Sequence, residues 1–162
     1  MDKLKQTVDK ILLSITSTLL VIMVVLSVWQ VLARYVLNVS SPGTEEAIRF
    51  LLIWFGLLGA AYVFGIRKHI AILFFREKLS ETKQEVLGAL TNVIILLTAA
   101  VLMVYGGLQT VLLTVSQVAP ATGISQAIVY ASVPVSGMFI IFYTIYNMAA
   151  DKKRRKESVT SL

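Results

Sequence analysis

Three stretches of the chain contain no charged side chain: residues 11–33, 50–66 and 86–150. A bilayer core is crossed by roughly 20 apolar residues in a helix, which satisfies its own backbone hydrogen bonds where water cannot. The first two stretches each provide one crossing. The third holds 65 residues, too many for one, and is interrupted at VAPATGIS, where Pro120 and Gly123 disfavour continuous helix. Four spans are therefore predicted: Ile11–Ala33, about Ala47–Ile66, Val86–Val115 and Ser125–Met148. The third would be about 45 Å long, so it should tilt or project beyond the hydrocarbon.

The chain is 57% hydrophobic with a mean hydropathy of +0.80, more apolar surface than a soluble domain carries without aggregating. Its pI of 9.7 does not point to nucleic acid, because the basic residues sit at the ends of apolar runs and form no continuous face. With no cysteine, thiol redox chemistry and Cys-based metal sites are excluded. The N-terminal MDKLKQTVDK precedes an apolar run too long for a signal peptide and followed by no small-residue cleavage site, so it reads as an uncleaved first span.

Of the 15 Lys and Arg residues, all but Arg34 and Arg49 fall before span one, between spans two and three, or after span four. The positive-inside rule then places both termini in the cytoplasm, which requires an even number of spans. The expected fold is an all-α membrane protein with four transmembrane helices, N-in/C-in. Residues 1–150 would form one four-helix transmembrane domain and 151–162 a basic cytoplasmic tail. Between spans two and three, Ile66, Ile70, Leu73 and Phe74 recur at i, i+4, i+7 and i+8. With Arg67, Lys68 and Arg76 beside them, they predict a short amphipathic helix in the inner membrane interface, against the lipid.

The outward-facing segment NVSSPGTEEAIRF concentrates the polar residues. Thr44 is a candidate N-cap for span two, with Glu45 and Glu46 in the first turn, where the helix dipole favours negative charge. Glu45 and Arg49 are spaced i, i+4 in the favoured acid-first order. Arg34, ending span one, is within reach of either acid. Trp29, Tyr35 and Trp54 fit an aromatic belt. Gly56 with Ala60, and Ala61 with Gly65, form small-xxx-small pairs suited to close helix packing. Gln30, Asn92 and Gln109 are expected to bond neighbouring helices. Pro134 should kink span four by crowding the carbonyl of Tyr130. The single histidine, His69, reads as a solvated or packed residue.

Absences narrow the function. Ion-coupled exporters place an ionisable residue in mid-membrane, haem carriers need axial ligands in their spans, and no nucleophile–base pair or metal cluster can be assembled. The sequence predicts neither an enzyme nor a bound cofactor. What is left is a helical subunit that works by packing against another protein.

WQVLARYVLN leading into SPGTEEAIRFLLIWFGLLGAAYVFGIRKHI resembles the small membrane subunit of tripartite ATP-independent periplasmic (TRAP) transporters, the DctQ-like family. The shared elements are Arg34 and Tyr35, the Glu45-Glu46 pair, Arg49, Trp54, Gly59-Ala60-Ala61, and Arg67 with His69. A second patch, PATGISQAIVYASVPVSG, resembles the family's proline-bearing fourth span. Departures are Pro42-Gly43-Thr44, where many members carry an aromatic residue, and Lys68, where glycine is common. The resemblance implies a bacterial inner-membrane machine. A periplasmic substrate-binding protein would capture an organic acid, a C4-dicarboxylate or a sialic acid, and a large membrane subunit would import it with sodium. The small subunit would brace the large one and help form the docking surface, with Arg34, Glu45, Glu46, Arg49 and Trp54 at that interface. The alternatives are an independent homo-oligomeric channel or exporter, with Gln30, Asn92 and Gln109 as its polar path, and a membrane anchor of another complex.

Overall fold

The computed structural model describes residues 2–66 and 81–160, with side chains described for 3–66 and 88–150. The described residues fold into helices long and apolar enough for four crossings, Lys3–Tyr35, Pro42–Gly65, Gly88–Thr114 and Gln126–Ala150. Helix α1 (Asp2–Tyr35) forms span one and α2 (Pro42–Gly65) span two. Span three is α3 (Glu81–Leu97), a π-helical segment (Thr98–Gly106) and α4 (Gly107–Thr114). Span four is α5 (Gln126–Tyr130) followed by α6 (Ser132–Thr160). Of the amphipathic segment predicted between spans two and three, Ile70, Leu73 and Phe74 lie outside the described residues, as does His69. Ile66 closes α2, its amide bonded to the Tyr62 carbonyl at 3.2 Å.

Local chemistry sets the helix boundaries. α1 begins nine residues before the charge-free run because nothing breaks it there, and Lys5 and Asp9 pair at 2.9 Å one turn apart. It ends where Asn38 adopts φ +54°, the left-handed conformation that Asn tolerates, while the Val39 amide turns back to the Ala33 carbonyl at 3.0 Å. Span two starts earlier than its sequence indicated. The capping position is Ser41, not Thr44, because Pro42 enters the first helical position with φ already set. Thr44 sits inside the first turn, its hydroxyl 3.0 Å from that of Ser41.

The segment between spans three and four, predicted as a break, is an ordered hairpin. Val118 and Ser125 form an antiparallel bridge, and Gly123 takes φ +69° in the turn. The Ala119 amide meets the Ile124 carbonyl at 2.9 Å, and the Gln126 amide meets Gln117 at 2.8 Å. Ser125 caps α5, accepting from the Ala127 amide at 3.3 Å and donating to the Val115 carbonyl at 2.9 Å. Span four is interrupted at Ala131, one turn before Pro134, which has no amide to offer Tyr130.

Packing follows the order one, two, four, three: α1 lies on α2, α2 on α6, and α6 on the π-helical segment. Span four is thus the central helix, with 44% of its most apolar window buried against 6% in span three. One core cluster joins Leu12, Leu58 and Tyr143 from spans one, two and four. A second joins Ala61, Ala99 and Ile140 from spans two, three and four. Small residues make the close approaches. A Cβ on Gly65 would lie 2.5 Å from the Tyr143 ring, one on Gly107 2.8 Å from Pro134, and one on Gly137 2.7 Å from Met103.

Candidate functional site: the outer ends of spans two to four

Glu46 organises the hairpin end of the bundle, termed outer here as the end away from the basic termini, with the end nearer the termini termed inner. It stands one turn into α2 and is 8% exposed, a burial that a carboxylate tolerates only when it is well hydrogen-bonded. One oxygen, Oε2, accepts from the Thr122 amide at 2.7 Å, the Thr122 hydroxyl at 2.7 Å and the Ala121 amide at 3.2 Å. Charge-assisted bonds of this kind are the stronger class. They fasten the hairpin between spans three and four onto the start of span two, 75 residues away in sequence. Gly43 lets the hairpin come close: a Cβ there would be 3.8 Å from the Ala121 carbonyl and the Thr122 methyl. Lower down, the Trp54 indole donates to the Ile128 carbonyl at 3.2 Å, adding a second link between spans two and four.

Its neighbour Glu45 points the other way. It pairs with Arg49 at 3.3 Å in solvent, with side chains 58% and 68% exposed. The two acids of the motif therefore play different parts. Arg34 is exposed, and neither ion pair among the described residues, Lys5–Asp9 or Arg49–Glu45, involves it. The contact expected from Arg34 to Glu45 or Glu46 is not made: Glu45 pairs with Arg49, and Glu46 turns to the hairpin.

The two small-residue pairs of span two also separate. Ala61 and Gly65 are buried against span four. Gly56 and Ala60 are exposed, and a Cβ on Gly56 would meet nothing within 4 Å, so this pair faces away from the chain's own core. Among the mid-span amides, Gln109 donates to the Tyr105 hydroxyl on its own helix at 2.8 Å, and no bond joins Gln30 or Asn92 to a neighbouring helix. The expected interhelical bonds are therefore not formed. No continuous polar path is assembled from these three residues: Gln30 lies on span one, Asn92 and Gln109 are 17 positions apart on span three, and Gln109 is exposed.

The inner end holds a carboxylate link that the sequence reading missed. Tyr143, fully buried on span four, donates its hydroxyl to Asp9 Oδ1 at 2.5 Å, while Asp9 Oδ2 accepts from Lys5 at 2.9 Å. A tyrosine seven residues inside the apolar end of span four was the available signal, since a buried hydroxyl needs a partner. Among the described residues no group of three His, Cys, Asp or Glu side chains could hold a metal ion. Glu46 fastens the hairpin to span two through one oxygen, and Asp9 fastens span one to span four with both oxygens bonded. Among the described residues, these two carboxylates serve to position helices and the hairpin.

Comparison with known proteins agrees with that reading. Residues 23–154 match the family described as the DctQ component of tripartite ATP-independent periplasmic transporters. A Haemophilus influenzae protein named as a TRAP transporter small permease protein is 26% identical over 96% of this chain and 93% of its own length. A second small permease protein from the same organism is 27% identical over 86% of both chains. The sialic acid TRAP transporter small permease protein SiaQ of Vibrio cholerae is 27% identical over 86% of this chain and 80% of its own. With four apolar helices, two carboxylates used as fasteners and a family match over most of its length, the chain belongs to the DctQ family as the small permease subunit of a TRAP transporter, a transport component and not an enzyme.

Proposed function

We propose that the chain packs against and braces the large membrane subunit of a sodium-coupled TRAP importer in the bacterial inner membrane, and contributes to docking of the periplasmic substrate-binding protein. The cargo is an organic acid, either a sialic acid, in line with the SiaQ relative, or a C4-dicarboxylate. The positive-inside count supports both termini in the cytoplasm, with 1–150 as the membrane domain and 151–162 as a basic tail. The carrying observation is the lack of any Asp, Glu, Lys, Arg or His side chain inside the three charge-free stretches, together with engagement of Glu46 and Asp9 at the span ends in structural bonds. A chain so built has nothing with which to couple ion and solute movement, so the large subunit must supply it.

The docking contribution is assigned to the hairpin that Glu46 holds. Val118 is 64% exposed and Ile124 38%, and Pro120 is exposed between them, an apolar tip on a backbone braced from below. Glu46 would act by positioning this tip, while the exposed Glu45–Arg49 pair and Arg34 would meet polar groups of a partner.

Reconstitution tests the proposal. Liposomes holding the chain alone should show no sodium-driven uptake of N-acetylneuraminate or succinate. Liposomes holding it with the large subunit, supplied with the binding protein, should take up one of the two. Flux through the chain alone would favour the independent channel and overturn the proposal. So would full transport by the large subunit without this chain.

A further inference from the structure

Spans three and four both depart from regular α-helix, and they do so at one level of the bundle. Span three is π-helical over Thr98–Gly106 and returns to α-helix at the Gly106–Gly107 pair. Span four is interrupted at Ala131, and Pro134 gives no amide to the Tyr130 carbonyl. The two departures touch: a Cβ on Gly107 would lie 2.8 Å from Pro134 Cδ and 3.2 Å from the Val133 side chain. Prolines, glycine pairs and π-helical turns are the places where helices bend. Two hydroxyls add to this. Thr110 returns its hydroxyl to the Gly106 carbonyl at 2.9 Å, and Ser132 to the Val129 carbonyl at 2.6 Å, bonds that compete with the helix ladder and favour bending. Ser136, fully buried two residues past Pro134, has no hydrogen-bond partner among the described residues. A buried polar group left unsatisfied in one arrangement lowers the cost of leaving that arrangement.

Beyond that level the chain is braced mainly against itself. α4 packs on α5, and both touch span two and α6 only lightly. The Ser125 hydroxyl bonds the Val115 carbonyl, the Gln126 amide bonds Gln117, and Val118 bridges Ser125, so residues 107–130 hold their shape as one piece. The ties from this piece to span two are of another kind. Three bonds converge on the single Oε2 of Glu46, and one runs from the Trp54 indole to the Ile128 carbonyl. The spans below share two apolar clusters instead. Directional bonds to one acceptor can be broken together, whereas a packed apolar cluster resists any displacement.

From these observations we propose that residues 107–130 form a hinged arm. α4, the hairpin and α5 tilt as one body about an axis through Gly106–Gly107 and Ala131–Pro134, and the Glu46 carboxylate is the latch that holds the arm against span two. A tilt of about 20° over the roughly 12 Å of α4 moves its far end by about 4 Å, and the hairpin beyond it further. The inference goes beyond the proposed function and depends on the bundle alone. Within that function it makes the hairpin tip a movable contact.

The chain has no cysteine, so pairs of spin labels can be attached uniquely. Spin–spin distances are measured on the full chain in lipid nanodiscs at exposed positions. Val28→Cys with Val118→Cys reads across the axis, Leu112→Cys with Ile128→Cys reads inside the arm, and Val21→Cys with Leu97→Cys reads the rest of the bundle. Each pair should give one distance while Glu46 is present. Glu46→Ala should give the 28–118 pair a second distance, about 4 Å or more from the first, and leave the other two pairs unchanged. Glu46→Gln, which keeps the shape and removes the charge, should give the same second distance at lower population. Pro134→Ala returns a donor to the Tyr130 carbonyl and should reduce that population in the Glu46→Ala background. A 28–118 distance that stays single with both Glu46 variants overturns the inference. So does a 112–128 pair that broadens with it, because the hairpin then frays without tilting, and so does a change in the 21–97 pair, a loosening of the whole bundle. A second distance that Pro134→Ala leaves equally populated removes the axis and overturns the inference as well. None of these results bears on docking or transport, which the reconstitution tests separately.

Discussion

At the outer end of the bundle, Glu46 gathers two amides and a hydroxyl from a hairpin onto the first turn of span two. At the inner end, Asp9 receives the buried hydroxyl of Tyr143 beneath Gly65. Both are carboxylate links between helices distant in sequence, yet they stabilise different things. The inner link joins two regular helices already packed through Leu12, Leu58 and the Tyr143 ring, so the hydrogen bond adds to a hydrophobic core. The outer link holds irregular backbone that buries little apolar surface, so the hydrogen bonds are the main tether. The inner end is therefore sensitive to shape, and the outer end to the loss of one charged acceptor.

The largest expected effect tests the inner end through shape alone. Gly65→Leu places a side chain where even a Cβ would stand 2.5 Å from a fully buried ring that Asp9 holds in place. Overpacking of this kind costs about 3 kcal/mol, visible as a lowered thermal midpoint in detergent. Gly56→Leu, on the same helix with nothing within 4 Å, should leave that midpoint unchanged. If the two variants unfold alike, the inner end is not closely packed.

Next in size is Glu46→Ala. It leaves the amides of Ala121 and Thr122 without their acceptor, at a cost of about 2 kcal/mol. The response should be local. Hydrogen exchange at residues 118–126 should rise about tenfold or more, while amides near Asp9 keep their protection. Uptake by the assembled transporter should fall although the protein inserts normally. A global loss of protection would show that Glu46 supports the whole bundle and that the two ends are not independent.

The charge-free stretches made the four spans legible, because the bilayer imposes a length and a polarity that sequence cannot disguise. The hairpin could be placed from Pro120 and Gly123. Its order could not, since three of its tethers end on one oxygen of a residue 75 positions away. Glu45 and Glu46 looked equivalent in sequence. Which one turns inward depends on the face that α2 packs against its neighbours, the face carrying Leu58, Ala61 and Gly65 further along. Gly56 and Ala60 lie off that face. Asp9 escaped notice because it lies just outside the first charge-free stretch and resembled one more anchoring charge.

Asp9→Ala sharpens the comparison from the inner side. Removing the acceptor strands the Tyr143 hydroxyl, but the ring keeps its contacts with Leu12 and Leu58, so the loss should be about 1 kcal/mol, smaller than for Glu46→Ala. Tyr143→Phe in the Asp9→Ala background should add almost nothing, since the partners of a single bond are coupled. Additive losses in that double-mutant cycle would mean that the bond contributes nothing beyond packing.

The smallest effect belongs to Glu45→Gln. Its bond to Arg49 is long at 3.3 Å, both side chains are mostly in solvent, and the pair is a single i, i+4 contact. Such pairs contribute about 0.3–0.5 kcal/mol, and salt screens them. Midpoint and hairpin exchange should therefore match the unmodified chain, even though the substitution is adjacent to Glu46. This result separates a role in the fold from a role toward a partner. If Glu45→Gln leaves stability intact yet weakens uptake in a way that raising the binding-protein concentration restores, the exposed acid contacts the docked protein. If uptake is also unchanged, the motif's second acid carries the whole of its effect from inside the bundle.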